Sequence, residues 1–155
     1  METLSSLIIR PVEAADFPRW RLLWDGYNAF YGREGATALP AAITQLTWQR
    51  FLDPNEPMWA MVAEVDGALV GLVHVIFHRS TTLSTYTCYL QDLFTAPELR
   101  GRGVGRRLIE AVYEYARAKG AERVYWQTHE TNATAMQLYD KVAEYSGFVV
   151  YRKVL

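Results

Sequence analysis

Tyr89 to Arg107 reads YLQDLFTAPELRGRGVGRR. Its first seven residues, Tyr89 to Thr95, have the apolar and aromatic content of a strand, and Ala96-Pro97-Glu98-Leu99 has that of a turn. Arg100-Gly101-Arg102-Gly103-Val104-Gly105 then runs straight into a helical pattern in which Leu108, Ile109, Val112, Tyr113 and Ala116 share one face before Gly120. Glycines at 101, 103 and 105 free the backbone N–H groups to close on oxyanions, and the following helix turns its unpaired first-turn N–H groups and the positive end of its dipole the same way. A glycine-rich loop between a strand and a helix is a phosphate seat.

The known phosphate loops narrow the reading. A dinucleotide fingerprint fails because Arg106 stands where the third glycine of G-x-G-x-x-G belongs, and no G-x-x-x-x-G-K-[ST] run exists. What fits is R-x-x-G-x-G, as Arg100, Gly103 and Gly105. Arg100, Arg102, Arg106 and Arg107 put four arginines into eight residues, an anion-binding cluster rather than a solvated turn.

Outward from this segment the chain reads as one domain over residues 1–155. Half of it is hydrophobic, and a net charge of −1 gives no overall field toward nucleic acid or an anionic membrane. A single cysteine, Cys88, and the absence of a leader-like or spanning apolar run suggest a reducing, cytoplasmic setting.

Before the glycine loop, Leu7 to Arg10 reads as a strand stopped by Pro11. Phe17, Trp20, Leu23, Trp24, Tyr27, Phe30 and Tyr31 mark a first helix with Asp16 as its N-cap. Ile43, Leu46 and Phe51 mark a second over Ala41 to Leu52, and Trp59 to Val65 and Leu69 to Phe77 form a hairpin about Asp66-Gly67. Beyond the loop come a strand at Arg123 to Thr128, a last helix from Ala133 to about Val142 or Glu144, and a closing strand from Phe148 to Val154. Strand, helix and strand about the glycine loop make a right-handed crossover, so the central strand and the Arg123 strand should run parallel. The result is an α/β fold with a mixed, mostly antiparallel central sheet flanked by helices.

Two motifs in this half resemble those of the GNAT superfamily, the acyl-CoA-dependent N-acyltransferases. The first is LQDLFTAPELRGRGVG; the second, TNATAMQLYDK, is similar to N-x-x-A-x-x-L-Y-x-K, with Asn132, Ala135, Leu138, Tyr139 and Lys141. Within that superfamily the look of VYWQTHETNATAMQLYDKV and YLQDLFT is similar to the histone and polyamine acetyltransferase branch.

The resemblance implies acetyl-CoA as co-substrate, with no metal. It implies a β-bulge near Asp92 to Phe94 that splays the strands, leaving backbone groups of Leu93, Phe94 and Thr95 for the pantetheine arm. The pyrophosphate would rest on Arg100, Gly101, Arg102, Gly103, Val104, Gly105 and Arg106. It implies direct transfer in a ternary complex, with the Leu93 N–H polarising the thioester carbonyl, Tyr139 as the acid for the departing thiolate and Asn132 near the pantetheine. Gln91 stands where polyamine acetyltransferases carry a carboxylate, which leaves Asp92, or Glu64 through water, as the base. Val142 to Ser146 intervene before Gly147-Phe148, lengthening the last helix.

Trp24, Tyr27 and Tyr31 are core residues by default, but their helical spacing also allows an aromatic wall for a cationic amine. His74 and His78, four residues apart on a strand, lie too far apart to share a metal, and Cys88 has no histidine at a motif spacing. The acceptor implied is the primary amine of a small molecule, polyamine-like first. A protein lysine and a non-catalytic acyl-CoA sensor are the rivals, and nucleic acid is the weakest partner. Phe148-Val149-Val150-Tyr151, apolar on both faces, allows a homodimer through the last strand.

Overall fold

In the computed structural model, which describes residues 4–155, five strands form one sheet in the order β1-β2-β3-β4-β5. They are β1 (Leu7–Pro11), β2 (Met58–Val65), β3 (Ala68–Arg79), β4 (Tyr86–Thr95) and β5 (Arg123–Tyr125). The first three pairings are antiparallel and β4–β5 is parallel. Helices α1 (Phe17–Phe30) and α2 (Ala41–Leu52) cover one face, and α3 (Val104–Ala118) covers the other, with α4 (Ala133–Val142) after β5. This is the mixed α/β architecture that the sequence implied. Among the described residues no helix is long and apolar enough to cross a membrane.

Alternation along each strand divides the core in two. Met61, Ala63, Val73 and Val75 pack under α3 with Leu108, Ile109 and Val112, whereas Ala60, Val62 and Leu72 pack under α1 and α2 with Trp20, Trp24, Trp48 and Phe51. The β2–β3 hairpin turns on Asp66 and Gly67, both with positive φ (50° and 81°), the two left-handed residues that a tight primed turn requires. Helix α3 stops at Ala118, with Gly120 left-handed at φ 80° just beyond.

Four details depart from the sequence reading. The buried face of α2 is Thr44, Trp48 and Phe51, while Ile43 and Leu46 are exposed; one bulky Trp48 packing against Phe17 and Trp20 sets the helix's rotation over two aliphatic neighbours. Asp16 holds the N-cap position of α1, as expected, but its side chain makes no capping bond to that helix. It lies in a preceding 3-10 turn, its carboxylate accepting from Arg10 at 2.8 and 2.9 Å, Arg19 at 3.0 Å and the Glu13 N–H at 2.8 Å. Strand β1 runs through Pro11, which is tolerated at the sheet's edge, and β5 stops at Tyr125.

The fourth is the closing strand. Residues 143–155 form no strand, and Phe148 and Tyr151 are 88% and 95% exposed. An apolar segment becomes a strand only by pairing with a sheet edge, and here it leaves the outer edge of β5 unpaired. The last helix ends at Val142, the shorter of the two bounds read from the sequence, and the extra turn expected from Val142 to Ser146 does not form, with Ala143 already in extended backbone.

Candidate active site

The site is built on one irregularity in β4. His74 pairs with Asp92 and Val75 with Leu90, so Gln91 is an extra residue with no partner on β3. The bulge reverses the alternation. Upstream of it, Cys88 and Leu90 face α3; downstream, Phe94 joins the α1 core and Asp92 meets His74, while Leu93 takes the α3 side. Pairing with β5 covers Thr87, Cys88 and Tyr89 and stops there. From Leu90 to Thr95, β4 therefore has an edge with no strand beside it, the splay expected from the sequence.

The glycine loop lies at the end of that edge. Gly101 and Gly103 have φ of 75° and 88°, and Gly103 occupies the position before the first turn of α3. Arg107 N–H bonds back to Gly103 O at 3.1 Å, so the N–H groups of Val104, Gly105 and Arg106 are those a helix leaves without an internal partner. A Cβ on Gly105 would stand 3.5 Å from Leu138 of α4 and 3.9 Å from the Thr95 hydroxyl, which shows how closely the loop, β4 and α4 converge. These donors and the open β4 edge suit the phosphates and the amide-bearing arm of an acyl-CoA.

The arginines divide their tasks. Arg106 is paired with Glu110 at 2.9 Å, and Arg107 reaches the Leu7 carbonyl at 3.5 Å. Arg100 turns back, its Nε donating to Thr95 O at 3.1 Å and its guanidinium lying over Phe94 at 5.4 Å and Phe30 at 5.8 Å. Arg102 has no side-chain partner among the described residues.

Opposite the loop, α1 carries a ladder of rings. Trp24 stacks on Tyr27 (5.4 Å, 9°), and Tyr27 meets Tyr31 at 5.0 Å. Trp24 and Tyr27 are buried, and Trp24 Nε1 donates to the Thr44 hydroxyl at 3.2 Å, so Tyr31 is the ring that faces solvent. Burial first, then the charge of Asp92 and a hydrogen bond to it, push the Tyr27 phenol above its ordinary value. Trp126 packs against Tyr139 on α4, whose phenol is likewise raised by burial, with Tyr31 adding to the effect. Tyr27, Tyr31, Asp92 and Tyr139, distant in sequence, are thus neighbours in space. Asn132 precedes α4 and donates from Nδ2 to Thr128 Oγ1 at 3.3 Å.

Glu64 is already engaged by Arg10 at 3.1 Å. Cys88 is fully buried, its thiol pushed up to about 12 by that burial. His78 bonds through Nε2 to the Tyr125 hydroxyl at 2.6 Å.

Three residues carry no role at the site in the sequence reading, where His74 is weighed only as a metal ligand with His78. His74, 1% exposed, bonds through Nδ1 to Asp92 Oδ2 at 2.8 Å. Arg33, held by Nε to Asn28 Oδ1 at 2.6 Å, lays its guanidinium 5.6 Å over Tyr31 and 5.9 Å over Tyr27. Gly71 lets α3 press onto the sheet, since a Cβ there would fall 3.1 Å from Leu108, Val104 and the Phe94 carbonyl. A glycine inside a strand is a readable signal of close approach; the other two depend on register and loop path.

The sequence model of the Acetyltransferase (GNAT) family matches residues 20–145, a span that includes the bulge, the glycine loop and α4. The chain belongs to the GNAT acetyltransferase family. Like other GNAT enzymes it is an acetyl-CoA-dependent N-acetyltransferase. It is 32% identical to the D-amino-acid N-acetyltransferase HPA3 of Saccharomyces cerevisiae over 149 residues, covering 95% of this chain and 90% of that one. It is 33% identical to the thialysine N-epsilon-acetyltransferase of Sus scrofa over 114 residues, 74% of this chain and 55% of the relative. Among solved structures, AAC(6')-Iy in complex with the bisubstrate analogue CoA-S-monomethyl-acetylneamine superposes with a TM-score of 0.82 over 97% of this chain and all of the other, at 22% identity, a likeness of GNAT fold.

Proposed function

We propose that this GNAT enzyme acetylates the primary amine of a small molecule that carries a carboxylate near the amine. The observation that carries the reading is Arg33. Its guanidinium already lies over Tyr27 and Tyr31, where the sequence suggested that the cation of a polyamine-like acceptor would bind. A second cation there meets like charge, whereas a carboxylate meets a planar fork of donors. The yeast relative, named for D-amino acids, supports the same class.

Acetyl-CoA supplies an acetyl group activated as a thioester; the chain supplies position, charge and protons. In this reading Gly101, Gly103, Val104, Gly105 and Arg106 offer backbone N–H groups to the pyrophosphate, with Arg102 as the free cation and Arg100 bracing the loop against Thr95. Leu93, Phe94 and Thr95 present the open edge of β4 to the pantetheine arm, the Leu93 N–H serves as a single oxyanion donor, and Asn132 steadies the far side. An amine that arrives as an ammonium must first lose a proton, and Asp92 is the carboxylate at the cleft able to take it. Tyr139, kept protonated by burial, is the acid. Trp24 and Tyr27 support the acceptor wall, and Tyr31 presents it.

The exposed segment 147–155 supports a homodimer in which each copy lends this apolar arm to the other's free β5 edge. Light scattering of the full chain and of one ending at residue 146 checks it: a dimer reduced to a monomer is the outcome this reading requires. With one buried cysteine, a reducing cytoplasmic setting fits the chain.

The test of the acceptor is coenzyme A release with amino acids, their amides, spermidine and a lysine-rich peptide. Amino acids should turn over faster than their amides, with Arg33→Ala abolishing the difference. Faster turnover of spermidine or of the peptide would overturn the carboxylate reading. Coenzyme A binding without release on any acceptor would favour a sensor.

A further inference from the structure

We propose that His74 is the positioning residue of the proton acceptor, holding Asp92 through a tautomer that Trp20 dictates; this rests on the reading of Asp92 as the base. The geometry leaves one arrangement of protons. An indole N–H can only donate, and Trp20 Nε1 lies 3.0 Å from His74 Nε2. Nε2 must therefore present its lone pair, and the ring's proton is on Nδ1, 2.8 Å from Asp92 Oδ2. A second proton on Nε2 would face the indole N–H donor to donor, in a place that is 1% exposed.

The surroundings reinforce that assignment. Phe51 of α2 lies 4.4 Å from the imidazole, ring to ring, with Trp24 at 5.2 Å and Trp20 at 5.7 Å, both of α1. Asp92 is the charged group that faces the ring, and Tyr27, whose phenol is raised by burial and by the charge of Asp92, is the next titratable one among the described residues. Among the described residues the imidazole's hydrogen-bond partners are Trp20 and Asp92 alone, and the indole N–H cannot accept a proton. His74 is a fixed donor, not a relay.

The consequence lies at Asp92. Its Oδ2 is committed to His74, so Oδ1 is the oxygen free of the imidazole. The proton leaving the substrate ammonium passes to Asp92 and forms a neutral carboxyl group, while the proton on His74 Nδ1 stays where it is. The bulge at Gln91 is what makes this possible: without the extra residue, Asp92 would face α3 and no pairing with His74 could form. A buried His–carboxylate pair is costly as mere packing, since apolar residues of similar size would fill the space as well or better. Placed beside the open edge of β4, it fixes the orientation of a reacting carboxylate.

The test has a spectroscopic arm and a kinetic arm. Long-range proton–nitrogen correlation on the uniformly labelled wild-type protein reads all three imidazoles, and loss of one set in His74→Gln assigns it. His74 should show Nδ1 protonated and Nε2 bare, with the pattern released in Trp20→Phe. An Nε2-protonated or averaged ring in the wild type would overturn the proposal.

In the kinetic arm, His74→Leu should lower kcat about tenfold or more with KM for acetyl-CoA unchanged, and His74→Gln, whose amide can still donate, should recover part of the loss. The loss should vanish in the Asp92→Asn background, because His74 acts through that carboxylate. A loss that persists undiminished there overturns the positioning role. Full turnover in Asp92→Asn alone overturns the reading of Asp92 as the base instead, whatever tautomer His74 shows. Coenzyme A binding by each variant establishes that it is folded, and the wild-type spectrum decides the tautomer even if the leucine variant does not fold.

Discussion

Tyr139 meets Trp126 edge to face, ring centroids 5.3 Å apart and 68° between planes. The contact fixes a phenol that α4 would otherwise only suspend over the cleft. Removing its hydroxyl with Tyr139→Phe preserves the packing and should lower kcat by about a hundredfold with little change in either KM, the scale of a lost general acid. Burial raises the phenol above its ordinary value of 10.0, so an acid role for Tyr139 predicts no alkaline loss of initial rate from it up to about pH 9. The sign for stability is equally defined: a raised phenol contributes stability in full below its unfolded value, and the contribution is lost as pH rises through the folded one.

Arg102 and Arg106 lie four residues apart but should differ in effect. Arg106 is neutralised by Glu110 at 2.9 Å, while Arg102 has no such partner among the described residues. Arg102→Ala should raise KM for acetyl-CoA about tenfold, the loss of one charge-assisted contact of about 1.4 kcal/mol, and Arg106→Ala should change it by less than about threefold. Steady-state kinetics with acetyl-CoA varied separates the two.

Gly71 is where α3 and the sheet come closest. The Phe94 carbonyl, 3.1 Å from a Cβ built there, is backbone and cannot rotate away. Gly71→Ala should therefore destabilise the fold by about 1–3 kcal/mol and weaken coenzyme A binding, since Val104 at the start of α3 must shift with it. Thermal unfolding and titration with coenzyme A measure both effects.

Far from the cleft, Asp16 ties β1 to α1. Its two hydrogen bonds from Arg10, offset by burial and helped by the Glu13 N–H, hold its carboxyl at about 2 against an ordinary 3.8. The lowered value stabilises the folded chain by about 2 kcal/mol above the unfolded value, and this is lost as pH falls from about 4 toward 2. Asp16→Asn should flatten that acid dependence in denaturant melts and lower stability at neutral pH by about 2–4 kcal/mol.

Local chemistry made much of this fold readable. Asp66-Gly67 encodes its turn in two residues, Gly101 and Gly103 take left-handed backbone, and the apolar stripe of α3 from Leu108 to Ala116 admits one rotation. Where the sequence misled, two faces or two partners competed. Ile43 and Leu46 were as good a stripe for α2 as Thr44 and Trp48, until Trp48 met Trp20 at 4.6 Å across the core. Phe148 to Val154 has a strand's composition, but composition alone does not pair it, and the segment leaves the outer edge of β5 uncovered.

The site divides the same way. The glycine loop and Asn132 to Tyr139 are contiguous motifs, which is why the proposed cofactor and acid positions stand out in the sequence. His74 and Arg33 carry no motif. His74 reaches Asp92 only because Gln91 is skipped, a register that no single strand reveals, and Arg33 reaches the ring ladder only because the loop after α1 folds back onto Asn28.

The central claim is acetyl transfer to a carboxylate-bearing amine with Arg33 as its reader. The most direct measurement is kcat/KM for a D-amino acid and for its amide, with wild type and Arg33→Ala at saturating acetyl-CoA. Wild type should prefer the acid by about tenfold or more, and Arg33→Ala should turn over both alike. Equal kcat/KM for acid and amide in the wild type would contradict it.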